Sequence, residues 1–358
     1  MPDFEIINGR AIIPKGTTEI EEYTFAELAE LKSISIPEGV TEIQKYAFAK
    51  CKNLKEVIFP STLKRICNHA FELCTSLSNI AIPKNVDFIG IGAFAGCSEV
   101  KSVSVNPCNS KFYSHDNCNA IIRTKDNALI AGFNITSIPN SVTYICREAF
   151  AQCDKLENLF IPSEVTIIDE YAFSHCVNLK SIKLPDNLIR ICSCAFFHCS
   201  SLTEIEIPKN TERLGNGIFA GCSNLISLSV AKENRVYNSE KSCNAIIENA
   251  TNILIAGCSS TIIPQYIKEI NDAAFFNFSE LITINIPDGV TKIGDGAFYG
   301  CSSLKSINIP ASVNKIGKYA FDGCSSLKLI YVTKELNEKV KEMLPKELYK
   351  AIEVKSKE

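Results

Sequence analysis

The residues with the greatest capacity for chemistry are cysteine and histidine, and they are densest between Cys192 and Cys199. This stretch reads Cys-Ser-Cys-Ala-Phe-Phe-His-Cys, and a His175-Cys176 pair precedes it. Thiolates and imidazoles are the usual ligands of structural zinc, so a metal site is one hypothesis. The alternative is that the cysteines are buried as small apolar side chains. Cys176 and Cys199 recur in register with seven further cysteines, which favours burial, and we predict neither a metal nor a cofactor.

No catalytic constellation accompanies these residues. The sequence contains no Gly-x-Ser-x-Gly elbow, no His-Glu-x-x-His motif and no glycine-rich phosphate loop. The net charge is −3, and lysine and arginine are scattered, which argues against a nucleic-acid or anionic-membrane footprint. No apolar run is long enough to span a bilayer. We therefore predict a protein that is not an enzyme, binds no nucleic acid and does not insert into a membrane.

A 23-residue repeat supplies the elements that would position any functional side chain. The phenylalanine of an Ala-Phe pair, or its equivalent, recurs every 23 residues in three runs, and two gaps of 56 residues separate the runs. The whole pattern therefore repeats at an offset of 125, which indicates internal duplication. The phenylalanines of this column are Phe25, Phe48, Phe71, Phe94, Phe150, Phe173, Phe196, Phe219, Phe275, Phe298 and Phe321.

Each repeat position has a physical role. The Leu-x-x-Ile-x-Ile spacing after each phenylalanine predicts a strand with one buried face. A proline stands eleven residues before each phenylalanine, as Pro37 does before Phe48. Because proline lacks the N–H that a ladder needs, a proline column marks the corner where the strands end. The Ala-Phe-x-x-Cys segment is predicted as a short helical or 3₁₀ turn whose phenylalanine fills the coil. One coil cannot bury these faces alone, so the coils must stack.

The two long gaps correspond to each other. Cys118-Asn-Ala-Ile-Ile matches Cys243-Asn-Ala-Ile-Ile, and Leu129-Ile-Ala-Gly matches Leu254-Ile-Ala-Gly. Polar residues separate the two apolar runs in each gap. We interpret each gap as two coils, the second of which replaces its helical turn with a β-hairpin. The array then comprises about thirteen coils.

Three regions follow from the limits of the repeat. Residues 1–16 are predicted to be an N-terminal hairpin cap with the start of the first coil, because two apolar runs flank Asn8-Gly9. Residues 17–333 form the solenoid. Residues 334–358 are predicted to be a C-terminal helical cap and tail.

The C-terminal cap is predicted from helical periodicity. Leu336, Val340, Leu344 and Leu348 fall on one face of a helix. Pro345 is expected to divide the segment into two short helices. Residues 353–358 are expected to be a frayed tail.

The repeat Ala-Phe-x-x-Cys-x-x-Leu-x-x-Ile-x-Ile-Pro-x-x-Val-x-x-Ile resembles the BspA-like class of leucine-rich repeat proteins over residues 10–333. The resemblance implies an α/β repeat solenoid that is right-handed, with a parallel sheet on one face and short helical turns or β-hairpins on the other. Members are typically surface or secreted proteins that bind host matrix proteins, other cells or glycans. The resemblance therefore implies cell adhesion at a cell surface. The start of the chain shows no signal-peptide pattern, which leaves a cytoplasmic location open.

The exposed side of the predicted sheet is the candidate binding surface. Positions eight and ten residues after each phenylalanine face away from the core, and most coils place small polar residues there. The middle of the chain differs, and the candidate partner-binding residues are Ile58, Phe160, Lys183, Glu204 and Glu206. An exposed aromatic residue beside charges is typical of a partner contact. Random drift at solvent positions, or Phe160 leaning on its neighbours, would explain the same residues without a function.

Three functional hypotheses remain open. The preferred one is a non-catalytic, monomeric protein that recognises a protein or glycan over the sheet face at a cell surface. The second is an intracellular protein-interaction scaffold with reduced cysteines. The third is a metal-responsive or redox-responsive protein that uses the Cys192–Cys199 stretch.

Overall fold

The chain folds into stacked coils of about 23 residues. The computed structural model describes residues 4–115, 118–240 and 243–355. It divides into two compact units, Met1–Leu179 and Lys180–Glu358, which we call the N-terminal and C-terminal units. The predicted leucine-rich repeat solenoid with parallel sheets is confirmed within each unit.

Almost every element is a short strand. The N-terminal unit contains β1 (Glu5–Ile7), β2 (Arg10–Ile12), β3 (Glu19–Ile20), β4 (Ser33–Ser35), β5 (Glu42–Ile43), β6 (Glu56–Ile58), β7 (Arg65–Ile66), β8 (Asn79–Ile82), β9 (Phe88–Ile89), β10 (Ser102–Val105), β11 (Phe112–Tyr113), β12 (Ile121–Arg123), β13 (Ala128–Ala131), β14 (Tyr144–Ile145), β15 (Asn158–Phe160) and β16 (Ile167–Ile168). The C-terminal unit contains β17 (Ser181–Lys183), β18 (Arg190–Ile191), β19 (Glu204–Ile207), β20 (Arg213–Leu214), β21 (Ser227–Val230), β22 (Tyr237–Asn238), β23 (Ala245–Glu248), β24 (Ile253–Gly257), β25 (Glu269–Ile270), β26 (Thr283–Ile284), β27 (Lys292–Ile293), β28 (Ser306–Ile309), β29 (Lys315–Ile316), β30 (Leu329–Thr333), helix α1 (Asn337–Met343), a 3₁₀ helix (Lys346–Ala351) and β31 (Ile352–Lys355).

Two rows of strands run along the coils of each unit. The front strands follow each column phenylalanine and include β4, β6, β8 and β10 in the N-terminal unit and β19, β21, β28 and β30 in the C-terminal unit. The side strands precede each phenylalanine and include β5, β7, β9, β14 and β16 in the N-terminal unit and β25, β27 and β29 in the C-terminal unit. Ile34 on β4 pairs with Val57 on β6, and both side chains are buried. Neighbouring strands therefore differ by one 23-residue repeat.

The phenylalanine column fills the core, as predicted. All eleven phenylalanines are at most 3% exposed. The ring centroids of Phe25 and Phe48 lie 4.9 Å apart, and so do those of Phe48 and Phe71, with the rings nearly parallel at 5° and 3°. This spacing matches the separation of hydrogen-bonded strands. Ring stacking and strand pairing are therefore compatible at the same coil-to-coil distance.

The cysteines of the Ala-Phe-x-x-Cys segments, which we call the cysteine column, are buried and also donate hydrogen bonds. The Sγ atom of Cys51 donates a hydrogen bond to the carbonyl oxygen of Phe25 at 2.8 Å, and Cys74 donates to Phe48 at 3.1 Å. The same bond, at 3.1 Å, joins further column thiols to the carbonyl of the preceding coil. All seventeen cysteines lie in the described ranges, and fourteen of them are buried.

The Ala-Phe segments are consecutive turns and not the helical turns that were expected. In the coil of Phe48, Tyr46 and Lys50 both adopt left-handed backbone conformations, with φ of 56° and 60°. The N–H of Phe48 donates to the carbonyl of Ala70 at 2.8 Å, and the N–H of Lys50 donates to Glu72 at 2.6 Å. A helix would direct these donors to carbonyls within its own turn. Hydrogen bonds to the next coil therefore take the place of the hydrogen bonds that a helix would form within its own turn.

The two predicted hairpins are confirmed as β12–β13 and β23–β24, each pairing antiparallel. Gly132 follows the first hairpin, and a Cβ atom there would lie 2.2 Å from the ring of Phe150. Gly257 has the same relation to Phe275, at 2.1 Å. The glycine of each Leu-Ile-Ala-Gly run is needed because a phenylalanine ring packs directly against its backbone.

The N-terminal hairpin is also confirmed within the described residues. β1 pairs antiparallel with β2, and Ile7 lies opposite Arg10. Asn8 and Gly9 have φ of 53° and 81°, as a two-residue hairpin turn requires. The part of the predicted cap in residues 1–3 lies outside the described residues.

The C-terminal cap agrees with the prediction up to residue 351. Leu336, Val340 and Leu344 are buried, whereas Leu348 is only half-buried, and Pro345 separates α1 from the 3₁₀ helix. The expected frayed tail is wrong for residues 352–355, which form β31 and pair in parallel with β30. β30 would otherwise end the front sheet with unpaired backbone groups, and β31 satisfies them. Residues 356–358 lie outside the described residues. With both terminal strands the chain has about fifteen turns, not about thirteen.

Truncation of a column phenylalanine is expected to destabilise the fold strongly. Phe48→Ala removes a buried ring that stacks on two others, and the loss should be roughly 3–5 kcal/mol of unfolding free energy. Phe160→Ala, at an exposed position, should cost less than about 0.5 kcal/mol. Urea denaturation followed by circular dichroism measures both. Equal losses for the two variants would show that the column does not carry the core.

The thiols are expected to react in distinct phases. Cys108 is exposed, so an aromatic disulfide reagent should modify it first. Burial raises the pKa of Cys51 and of Cys146 to about 12, so these thiols should remain unreactive at mildly alkaline pH until the protein unfolds. Cys108→Ser should remove the fast phase, whereas Cys194→Ser should retain it. A fast phase of many thiols in the native protein would contradict the burial of the cysteine column.

Candidate functional site

The outward positions of the front strands form the surface on which the candidate residues lie. Along a strand the side chains alternate between faces, so β6 points Val57 inward and Glu56 and Ile58 outward. On β15, Leu159 is buried, whereas Asn158 and Phe160 face outward. The predicted exposure of the two apolar candidates, Ile58 and Phe160, is therefore confirmed.

Phe160 is the most exposed large hydrophobic residue in the described part of the chain. It is 71% exposed, and Ile58 is 53% exposed. An apolar ring in water costs free energy that burial against a partner recovers. Phe160 is followed by the buried residues Ile161 and Pro162, which hold the strand end in place.

The two apolar candidates are not brought together. Ile58 lies on the edge strand β6 of the sheet ordered β1–β2–β4–β6, and Phe160 lies on β15, which belongs to a different sheet. Each is an isolated apolar group on its own strand. Within the N-terminal unit they are therefore two separate exposed side chains and not one patch.

The three charged candidates do come together in the C-terminal unit. Lys183, Glu204 and Glu206 line one shallow groove of about 540 Å³ with Asp186. Glu204 and Glu206 project from β19, which pairs with Ser227 and Ser229 on β21. The small serine side chains leave space beside the two carboxylates.

The charged side chains that line the groove carry a net negative charge. Three carboxylates and one ammonium line it, and Lys209 lies at its edge, where its Nζ atom is 2.8 Å from Asp186. The hydrogen bond from Lys209, with the charge of Lys183 as a smaller effect, lowers the pKa of Asp186. Glu204 and Glu206 are exposed on the same face. This arrangement suits a partner segment that carries positive charge.

A second groove in the C-terminal unit escaped the sequence analysis. It encloses about 450 Å³ and is lined by Ile262, Asn285, Asn308 and Tyr331, among others. Ile262, two residues before the column proline Pro264, is 66% exposed. Phe160 likewise stands two residues before a column proline, so the same count would have placed Ile262 at an outward position of the sheet. The sequence analysis counted forward from each phenylalanine, and the 56-residue gap before Phe275 interrupts that count.

The alternative of a zinc site at Cys192–Cys199 finds no matching geometry. Within residues 4–115, 118–240 and 243–355, no three His, Cys, Asp or Glu side chains converge as metal ligands would. Cys192 and Cys199 are buried. The Sγ atom of Cys194 lies 3.9 Å from the carbonyl oxygen of Asn216. The cysteines of this stretch occupy structural positions in the coils.

The 23-residue coils and their stacked parallel sheets define a leucine-rich repeat protein. The family model of the BspA type leucine rich repeat region matches six copies over residues 9–121, 130–246 and 255–355. The chain therefore belongs to the BspA-type leucine-rich repeat family, as the sequence resemblance indicated. No functionally curated protein matches the chain.

Several solved structures are similar to the chain. The pneumococcal vaccine antigen PcpA shares 20% identity with a TM-score of 0.56, over 96% of this chain and 73% of its own. A leucine-rich repeat protein from Eubacterium ventriosum shares 22% identity with a TM-score of 0.54, over 88% of this chain and 82% of its own. A leucine rich cell surface protein from Faecalibacterium prausnitzii shares 26% identity with a TM-score of 0.49, over 100% and 99%. The first two support the fold.

The helices are short. None of those in the described residues combines the length and apolar character that a membrane crossing requires.

Proposed function

We propose that the protein is a non-catalytic binding protein that recognises a protein ligand with the outward face of its front strands. The observation that carries this proposal is the 71% exposure of Phe160 at a position where most coils place small polar residues. Aromatic side chains are over-represented among the residues that dominate protein interfaces. The acidic groove of Lys183, Glu204 and Glu206 supports a second contact on the C-terminal unit.

The expected location follows from the family. Its repeat type is associated with surface and secreted proteins, so we propose that the chain acts as an adhesion protein at a cell surface or outside the cell. A protein ligand is favoured over a glycan at Phe160 because this ring offers no hydrogen-bonding group. Sugar recognition usually combines a stacking surface with several polar groups.

The binding proposal can be tested by surface plasmon resonance. The protein is passed over immobilised fibronectin, laminin, fibrinogen and collagen, and at least one should bind. Phe160→Ala should weaken that binding about 30-fold, which is the effect of a hot-spot residue of about 2 kcal/mol. Lys183→Glu should make the acidic groove still more negative and should change the salt dependence of binding.

The matched control is Tyr319→Asn. Tyr319 is 67% exposed, but it lies in a turn segment and not on a front strand. Asparagine tolerates its left-handed φ of 58°. Retained binding in this variant, with loss in Phe160→Ala, supports the proposal. Equal behaviour of the two variants, or no binding to any of the four proteins, counts against it.

A second candidate function is an intracellular interaction scaffold that uses the same face. The observation in its favour is the burial of fourteen of the seventeen cysteines as apolar side chains of the coils, since cysteine-rich chains without a disulfide framework are typical of reducing compartments. Labelling of intact cells with a membrane-impermeant amine-reactive biotin distinguishes the two. Labelling of intact cells supports the surface protein, and labelling only after lysis supports the scaffold.

A further inference from the structure

The N-terminal unit contains a pocket on its side strands, away from the outward positions of the front strands. One side sheet has the order β3–β5–β7–β9, and the next begins with β11–β12–β13–β14 and continues to β16. A pocket of about 540 Å³ lies at this interruption, and its lining comes from the end of β9, the β12–β13 hairpin, β14 and β16. The inserted hairpin forms one wall. We call this space the hairpin pocket.

The floor of the hairpin pocket is apolar, whereas most other outward positions of the side strands are charged; Phe88 on β9 is an exception. The outward residues of β5 and β7 are Glu42 and Arg65, whereas those of β14 and β16 are Tyr144 and Ile167. Ile130 of the hairpin adds to the floor. These side chains point out of the coil, so the internal packing does not require them to be apolar.

The charged groups of the pocket are already paired in fixed geometries. Arg123 donates from Nε and Nη2 to the two carboxylate oxygens of Asp126 at 2.8 and 2.7 Å. The hydroxyl of Tyr144 donates to Asp169. Arg147 donates to Glu170 at 3.0 Å, and its Nε atom is buried without a hydrogen-bond partner among the described residues. Two guanidinium groups and two carboxylates, those of Asp126 and Asp169, line the pocket itself, and their charges cancel. Glu148 and Glu170 form ion pairs with Arg147 from outside this lining.

This balance restricts the chemistry of a ligand. An anion or cation would face one partner of each ion pair with the wrong sign, and it would leave a charge without compensation in a partly desolvated space. A zwitterion could place both of its charges beside groups of opposite sign only by separating the ion pairs that Arg123 and Arg147 already form. A neutral molecule with many hydroxyl groups can accept from the remaining N–H groups and donate to the remaining carboxylate lone pairs. Its C–H face can cover Tyr144 and the isoleucines.

The internal duplication provides a comparison within the chain. At an offset of 125, Glu248 and Thr251 replace Arg123 and Asp126, and Glu269, Asp272 and Gly294 replace Tyr144, Arg147 and Asp169. The hairpin β23–β24 nevertheless forms with the same pairing as β12–β13. The fold therefore does not need the arginines and the tyrosine of the hairpin pocket.

We propose that the hairpin pocket binds a neutral saccharide, as a sugar ring or a short sugar chain. Tyr144, Ile130 and Ile167 would contact the C–H face of the sugar. Arg123, Asp126 and Arg147 would hydrogen-bond to its hydroxyl groups. The proposal does not depend on the front strands, because all of these residues lie on the side strands or on the hairpin.

The test is saturation-transfer NMR with the full chain and neutral sugars. The probes are D-glucose, D-galactose, D-mannose, N-acetyl-D-glucosamine and the disaccharides maltose, cellobiose and lactose. At least one should receive saturation with millimolar or tighter affinity, and calorimetry then gives its Kd. The variant Arg123→Glu with Asp126→Thr carries the residues of the second hairpin and should fold. It should weaken the affinity at least about tenfold, a loss of 1.4 kcal/mol.

Two controls separate this site from the front face and from general damage. Phe160→Ala should bind the sugar as the unchanged protein does, whatever its effect on protein ligands. Arg213→Ala removes an exposed arginine from a side strand of the C-terminal unit and should also have no effect.

Three outcomes would overturn the proposal: no saturation of any sugar, sugar binding that survives the double variant, or preferential binding of benzoate or L-phenylalanine. Benzoate represents an anion and L-phenylalanine a zwitterion, and neither should bind through Arg123 and Asp126.

Discussion

The distance between successive coils is the constraint on which the rest of the structure depends. Adjacent column phenylalanines stack with ring centroids 4.9 to 5.7 Å apart. Front strands pair in register, and turn N–H groups reach the carbonyls of the next coil, with the same period of one repeat. Any residue that forced two coils apart would weaken all three sets of interactions together. Insertions are accommodated where the chain leaves the coil as a hairpin, and Gly132 then restores the close approach of Phe150.

Because the inward positions are so constrained, differences between the units are found on the outside. The two hairpins have the same strand pairing but opposite surface chemistry, with Arg123 and Asp126 on the first and Glu248 and Thr251 on the second. The front strands show the same freedom, since serine, phenylalanine and glutamate all occupy equivalent outward positions. Recognition can therefore diversify in this fold without a change in the core.

The repeat could be predicted because the residues that fill its core, such as Phe48 and its equivalents, recur at a fixed spacing of 23 residues. The turns were not predicted, because glycine occupies their left-handed positions in only some coils, as Gly92 and Gly96 do. In other coils larger residues such as Tyr46 and Lys50 adopt the same left-handed conformation. β31 likewise depends on the open edge of β30. Strand alternation predicted the exposure of Phe160. The hairpin pocket escaped prediction because its lining comes from four separate segments.

The burial of the cysteine column affects how the chain would behave in an oxidising environment. A thiol whose pKa is about 12, as for Cys51, is ionised in about one molecule in 10⁵ at neutral pH, and disulfide formation proceeds through the ionised form. The folded coils therefore slow oxidation kinetically, whatever the surrounding redox potential. The unfolded chain has no such protection. A chain with this many buried thiols is compatible with an oxidising compartment provided that it folds before an oxidant reacts with its cysteines.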